Sequence, residues 1–99
     1  DFKDTRKVKT VKLDPVCRQQ QVNDGCFASI EAVPAYALTL TVPALMAAPW
    51  IYCVVPAKSK AWAVQQTLCG PVTEDIPATV LRLQQNATLY LDKESASLL

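Results

Sequence analysis

Histidine is absent from this chain of 99 residues. That removes the side chain whose unperturbed titration falls near neutral pH, and with it His-based triads and most zinc sets. Only two glycines occur, too few for a glycine-rich phosphate loop, and no Gly-x-Ser-x-Gly elbow is present. The cysteines at 17, 26, 53 and 69 form no Cys-x-x-Cys pair. Cys53 and Cys69 fall inside apolar patterns, so reduced, buried thiols fit best and no metal is expected. The chain has no signal-peptide pattern. Pro34, Pro43, Pro49 and Pro56 punctuate its apolar middle, so no run is long enough to span a bilayer. These absences predict a cytoplasmic protein with no membrane partner.

What is present points to one globular unit over residues 1–99. Apolar residues make up 51% of the chain, which excludes a disordered polymer, and no linker or internal repeat divides it. A net charge of +1 gives no case for nucleic acid. The first 18 residues are nonetheless biased, with Lys3, Arg6, Lys7, Lys9, Lys12 and Arg18 against Asp1, Asp4 and Asp14. A solvated or interface segment accounts for that bias. The start, DFKDTRKVKT, has no initiator methionine and no helix or strand signal before its first basic residues. It predicts that the chain continues something longer.

The stretch Trp50–Pro71, WIYCVVPAKSKAWAVQQTLCGP, organises the rest. It predicts a buried strand over Trp50–Val55, a tight loop over Pro56–Lys58, and a helix that opens near Ser59 and stops at Gly70-Pro71. Ala61, Val64 and Leu68 would form its buried stripe. Between Glu31 and Glu74 the only charged side chains are Lys58 and Lys60, both in that turn. A helix N-terminus offers unpaired N–H groups and partial positive charge, so the turn should attract an anion such as a phosphorylated small molecule. Two lysines on a turn also serve solubility. If Ser59 is the N-cap, however, Lys60 stands against the helix dipole, and such local conflicts mark sites.

Taken in order, the remaining segments predict an α/β layer structure. KVKTVKL (Lys7–Leu13) reads as a strand, and Asp14-Pro15 caps a polar helix over PVCRQQQVN that ends at Asp24-Gly25. After the loop CFASIEAVP, the strand AYALTLTV alternates Tyr36, Leu38, Leu40 and Val42 with small residues and threonines, as in a strand facing a core on one side, and Pro43 starts the short helix PALMAA. A helix from Pro77, the strand ATLYL (Ala87–Leu91) and a helix KESASLL capped by Asp92 complete the chain. Such alternation implies a mostly parallel sheet with helices on its faces. If the strands that would normally continue this parallel sheet lie outside the chain, an apolar face should be left uncovered. Glu74-Asp75 reads as a capping and turn pair ahead of Pro77.

The blocks PAYALTLTVPALM, VVPAKSKAWAV, GPVTEDIPATVLRL and ATLYLD, in this order and spacing, resemble the C-terminal part of the glucosamine-6-phosphate deaminases, also called isomerases. The resemblance implies a modified Rossmann-like fold, a mostly parallel sheet sandwiched by helices. It implies amino-sugar metabolism: opening of the glucosamine 6-phosphate ring, proton movement between C2 and C1, and release of ammonia and fructose 6-phosphate without cofactor or metal. The family lysine that grips the substrate phosphate falls on Lys60, with Ser59 an expected ligand in the same turn. The assisting arginine has no counterpart in strict register, where Gly25 stands, and Arg18 is the nearby guanidinium. Lys7, Lys9 and Thr10 resemble an allosteric sugar-phosphate segment of the enteric enzymes.

The chain also departs from the family pattern. The family's phosphate loop, its aspartate base and its Asp-Gly-His block all precede the part matched by Asp1, and relatives often carry His-x-His where Arg82-Leu83-Gln84 stands here. The expectation is therefore a phosphate-binding C-terminal portion, inactive by itself, whose partners are the sugar phosphate and the missing N-terminal part; a homo-oligomer is left open. Two other readings compete: a sugar-phosphate-sensing regulatory module, and a 6-phosphogluconolactonase-like hydrolase.

Overall fold

The computed structural model describes residues 1–99 and contains four strands and three α-helices, with 3-10 turns between them. Strands β1 (Val8–Lys12) and β2 (Tyr36–Leu40) pair antiparallel, Val8 opposite Leu40 and Lys12 opposite Tyr36. Strands β3 (Ile51–Val55) and β4 (Ala87–Leu91) pair parallel, with Ile51 beside Ala87 and Val55 beside Leu91. The mixed α/β class is as the sequence predicts. The parallel pairing holds for β3 and β4, whereas β1 and β2 form an antiparallel ribbon. The chain doubles back between them, and the Leu13 N–H donates to the Ala35 carbonyl at 2.8 Å to close the far end.

Helix α1 (Pro15–Asn23) has the predicted bounds, with Asp14 as N-cap accepting from the Cys17 N–H at 2.6 Å. Helix α2 (Val42–Met46) starts one residue earlier than Pro43 implies, because Thr41 caps it. The Thr41 hydroxyl donates to the Arg6 carbonyl at 2.6 Å while accepting from the Ala44 N–H, which explains a threonine with no exposed surface. Helix α3 (Ala61–Cys69) follows a 3-10 turn over Lys58–Lys60 and stops at Gly70, where a Cβ would meet the Gln66 carbonyl oxygen at 2.8 Å. A 3-10 segment over Pro77–Leu83 stands where an α-helix was expected. The C-terminal KESASLL forms turns, not a helix: the Ser95 hydroxyl bonds back to the Asp92 N–H and carbonyl, an alternative to helical pairing.

The core lies between α3, the inner face of β3–β4 and the 3-10 segment. Cys53, Val55 and Leu89 of the strands meet Ala63, Val64 and Leu81 around a residual cavity of about 110 Å³. The buried stripe of α3 is Ala61, Val64 and Thr67; Leu68 is 41% exposed because it borders an open cavity beside the last helical turn, next to Thr88 and Leu89. Thr67 takes its place without cost, since its hydroxyl donates to the Ala63 carbonyl at 2.7 Å. The cysteines are free thiols, but none is buried: Cys17 and Cys53 are half-buried, and Cys26 and Cys69 are exposed because one lies in a loop and the other ends α3.

Only 8 of the 99 residues are buried, and the molecule is a slab of 39 × 36 × 22 Å. Its radius of gyration, 14.7 Å, exceeds the roughly 13 Å of a compact domain of this length. The uncovered apolar face predicted for the parallel strands is present on β3–β4, so the stretch Trp50–Val55 is not the buried strand it was predicted to be. Tyr36, Leu38 and Leu40, predicted to face a core, are also exposed, because the β1–β2 ribbon has no helix packed on that face. Tyr52, Val54 and Tyr90 stand in solvent on β3–β4, and Val8, Tyr36, Leu38 and Leu40 do so on β1–β2. Tyr52 and Tyr90 form a diagonal cross-strand pair with ring centroids 6.3 Å apart. No helix is long and apolar enough to cross a membrane.

Candidate functional site

The carboxyl ends of β3 and β4 place two segments side by side. Because Val55 sits beside Leu91, the turn after β3 and the residues after β4 emerge together. The turn is unusual at Ala57, which has φ 82° and ψ 149° and is the one non-glycine residue with positive φ. That region is open almost only to glycine, and holding alanine there costs on the order of 1–3 kcal/mol. The conformation is met by a contact from just beyond β4: the Ala57 N–H donates to Asp92 Oδ2 at 2.8 Å, across 35 residues of sequence. Asp92 is fixed in turn by the Ser95 N–H, which donates to Oδ1 at 2.7 Å. These backbone donors, Ser95 first and Ala57 second, hold the Asp92 carboxyl below its ordinary value.

Beyond Ala57 the chain enters the 3-10 turn Lys58–Lys60 and runs directly into α3. The Lys60 and Ala61 N–H groups donate to the Ala57 and Lys58 carbonyls, which leaves those of Lys58 and Ser59 free at the start of the turn. Ser59 is exposed within the turn and is not the cap; Lys60 occupies that position without a side-chain cap bond, because the 3-10 turn moves the α-helical start to Ala61. Lys58 is exposed and Lys60 half-buried. Neither is paired with an acid, since both ion pairs of the molecule are made by Asp4. Two unpaired ammonium groups therefore accompany free N–H groups at the strand ends, an arrangement suited to an oxyanion.

The other expected site residues lie elsewhere. Arg18 Nη2 donates to the carbonyls of Ile30 and Val33 at 2.9 and 3.0 Å, tying α1 to the loop ahead of β2, while its buried Nε has no partner. No hydrogen bond links it to the lysine turn. On β1, Lys9 Nζ pairs with Asp4 Oδ2 at 3.2 Å, and strand alternation puts Thr10 on the opposite face from Lys9, while Lys7 lies just before the strand. Asp4 is held far below the usual carboxylate range by the Arg6 side chain first, then by the Arg6 backbone N–H and by Lys9. The largest cavity, about 610 Å³, lies at the opposite, amino end of β4, between α2 and the 3-10 segment. Phe2, Val42, Met46, Val80, Leu83 and Asn86 line it, and no ionisable side chain does. No group of three or more His, Cys, Asp or Glu side chains converges anywhere.

No family model matches the chain. Individual relatives do. It is 39% identical over 79 residues to glucosamine-6-phosphate deaminase 1 of Bacillus subtilis (strain 168), covering 80% of this chain and 33% of the relative. It is 40% identical over 77 residues to a glucosamine-6-phosphate deaminase of Thermoanaerobacter sp. (strain X514), covering 78% of this chain and 30% of the relative. A solved structure of a monomeric glucosamine-6-phosphate deaminase superposes on the whole chain with a TM-score of 0.92 at 35% identity, over 39% of its own length. The chain is related in sequence and fold to a segment of the glucosamine-6-phosphate deaminases.

It spans about a third of the length of the deaminases it matches. A 6-phosphogluconolactonase from Trypanosoma cruzi has a TM-score of 0.66 at 22% identity, a likeness of fold alone. The relation to the deaminases thus has support at residue level that the lactonase relation lacks. Two features of the site escape sequence reading. Alanine at 57 gives no sign of a positive φ, since glycine is the usual marker. Asp92 reads as a local cap, and only the β3–β4 register brings it to Ala57.

Proposed function

We propose that residues 1–99 act as one unit, the phosphate-binding C-terminal portion of a glucosamine-6-phosphate deaminase that converts glucosamine 6-phosphate to fructose 6-phosphate and ammonia. The observation that carries this is the lysine turn: Lys58 and Lys60, unpaired, follow the strained Ala57 at the carboxyl ends of parallel strands. Ligands of open α/β sheets bind in that crevice. In this reading Lys60 and the turn's N–H groups, with Ser59, receive the phosphate and fix the sugar's orientation. Arg18 assists through the loop it organises, and Lys7 and Lys9 belong to a separate sugar-phosphate contact, while Thr10, on the opposite face of β1 from Lys9, is not on the same surface.

Proton transfer between C2 and C1 needs a base whose pKa lies near the working pH. The carboxylate bonded at the turn is Asp92, already engaged by two backbone donors and held below its ordinary pKa, so it is a poor proton acceptor. With no histidine in the chain either, the acid and base come from other parts of the enzyme, and these residues alone release no ammonia. The test is a titration of the chain with glucosamine 6-phosphate and with glucosamine, following backbone amide resonances. Shifts at Lys58–Ala61 with the phosphorylated sugar only are expected. Equal response to glucosamine, or none to either, would overturn the phosphate assignment, and ammonia release by the chain would overturn its inactivity.

A further inference from the structure

We infer that Asp92 is a positioning residue for the anion-binding turn. This rests on the phosphate reading above and adds the device that shapes the turn. Ala57 occupies a backbone region that alanine does not adopt unaided, φ 82° and ψ 149°. One long-range contact restrains it, the 2.8 Å bond from its N–H to Asp92 Oδ2. The other carboxylate oxygen is committed to the Ser95 N–H at 2.7 Å, and the Ser95 hydroxyl accepts from the Asp92 N–H at 3.1 Å. Ser95 has no exposed surface, so the anchor has a rigid base. Both oxygens are therefore used, and each by a backbone donor. The peptide following Ala57 carries the Lys58 N–H and leads into Lys58–Lys60, so its orientation sets where the cationic turn points.

A carboxylate beside an anion site is electrostatically unfavourable to the anion. Its presence at this place is explained by the geometry it imposes and not by its charge. The two roles predict opposite signs. Asp92→Asn removes the charge, which by itself strengthens phosphate binding. It also removes one of the two acceptors, since an amide has a single oxygen, and that frees Ala57 to leave its strained conformation.

The experiment titrates the chain and its variants with inorganic phosphate, reading amide shifts at Lys58–Ala61, with circular dichroism to follow folding. Asp92→Asn is expected to weaken binding about tenfold, as when the competent turn falls to about a tenth of the population. Ala57→Gly in the Asp92→Asn background should return binding to within about threefold of the unaltered chain, because glycine takes positive φ freely. Unchanged or tighter binding by Asp92→Asn overturns the proposal. So does a folded double variant that binds no better than Asp92→Asn. Should Asp92→Asn alone fail to fold, the double variant carries the test: folded and binding, it supports the positioning role; folded and not binding, it overturns it. Absence of any shift in the unaltered chain overturns the phosphate reading itself, a result distinct from all of these.

Discussion

The β1–α1–β2 half and the β3–α3–β4 half are built from strands of equal length, five residues each, yet they solve different problems. The second half packs α3 on one face of a parallel pair and contains Ala61, Val64 and Val80, three of the four buried apolar residues. In the first half α1 buries no residue, and the ribbon is held by hydrogen bonds, by the Thr41 cap and by ion pairs of Asp4. One half is organised by apolar burial and the other by polar ties. The cationic turn sits on the first kind of scaffold, where a rigid strand–helix unit can hold a strained residue in place.

The sharpest way to break that comparison is at the turn. Lys60→Ala should weaken glucosamine 6-phosphate binding about ten- to a hundredfold, because a charge-assisted hydrogen bond is worth about 1.5–3 kcal/mol. In a complete deaminase carrying this segment the same change should raise KM strongly with a smaller fall in kcat, since a contact remote from C1 and C2 acts mainly through binding and orientation. Lys58→Ala, on the same scaffold but exposed, should change binding by no more than about twofold. Calorimetric titration of the two variants checks both; equal losses would dissolve the distinction between the lysines.

Next in size is burial. Val64 is 3% exposed and faces β3–β4, so Val64→Ala should lower unfolding free energy by about 2 kcal/mol in a denaturant melt. Val16 on α1 is 79% exposed, and Val16→Ala should change stability by no more than about 0.5 kcal/mol. Removing the cap of that helix is the more telling change there. Asp14→Ala should cost about 1 kcal/mol, seen as lost amide protection over α1 with β3–β4 unaffected.

How much of this was legible follows the same divide. Asp14-Pro15 gave the start of α1 and Gly70-Pro71 the stop of α3, because caps and breakers act on their own neighbours. ATLYL gave β4 to the residue. Periodicity also placed Ala61 and Val64 inward, but not the exposure of Leu68, which depends on how far the elements around it extend. The lysine turn was visible as the one charged spot in a long neutral stretch. Its exact entry was not: Ser59 has the chemistry of an N-cap, yet the 3-10 turn places Lys60 there, after Ala57, whose positive φ and bond to a residue 35 positions away leave no local trace in the sequence. The antiparallel ribbon and the role of Arg18 as a tie between α1 and the Ile30 and Val33 carbonyls are likewise long-range outcomes.

The smallest expected effect separates the halves by acid. Both Asp4 in the first half and Asp92 in the second have folded-state pKa values below the ordinary 3.8, Asp4 through Arg6 and Lys9, Asp92 through the Ser95 and Ala57 N–H groups. A depressed carboxyl contributes stability that is present above its unfolded pKa and is lost as pH falls through the folded one. The depression is the larger at Asp4. On acidification below about pH 4, the Asp92–Ala57 contact should therefore loosen first and the Asp4 ties of the ribbon later. Amide resonances of Ala57 and Ser95, followed with those of Arg6 from about pH 6 downward until both transitions are complete, give the order directly. Asp92→Asn should remove the first transition and leave the second in place. If the Arg6 resonance moved before those of Ala57 and Ser95, the polar ties of the ribbon would be weaker than the anchor of the turn, and the contrast between the two halves would have to be drawn the other way.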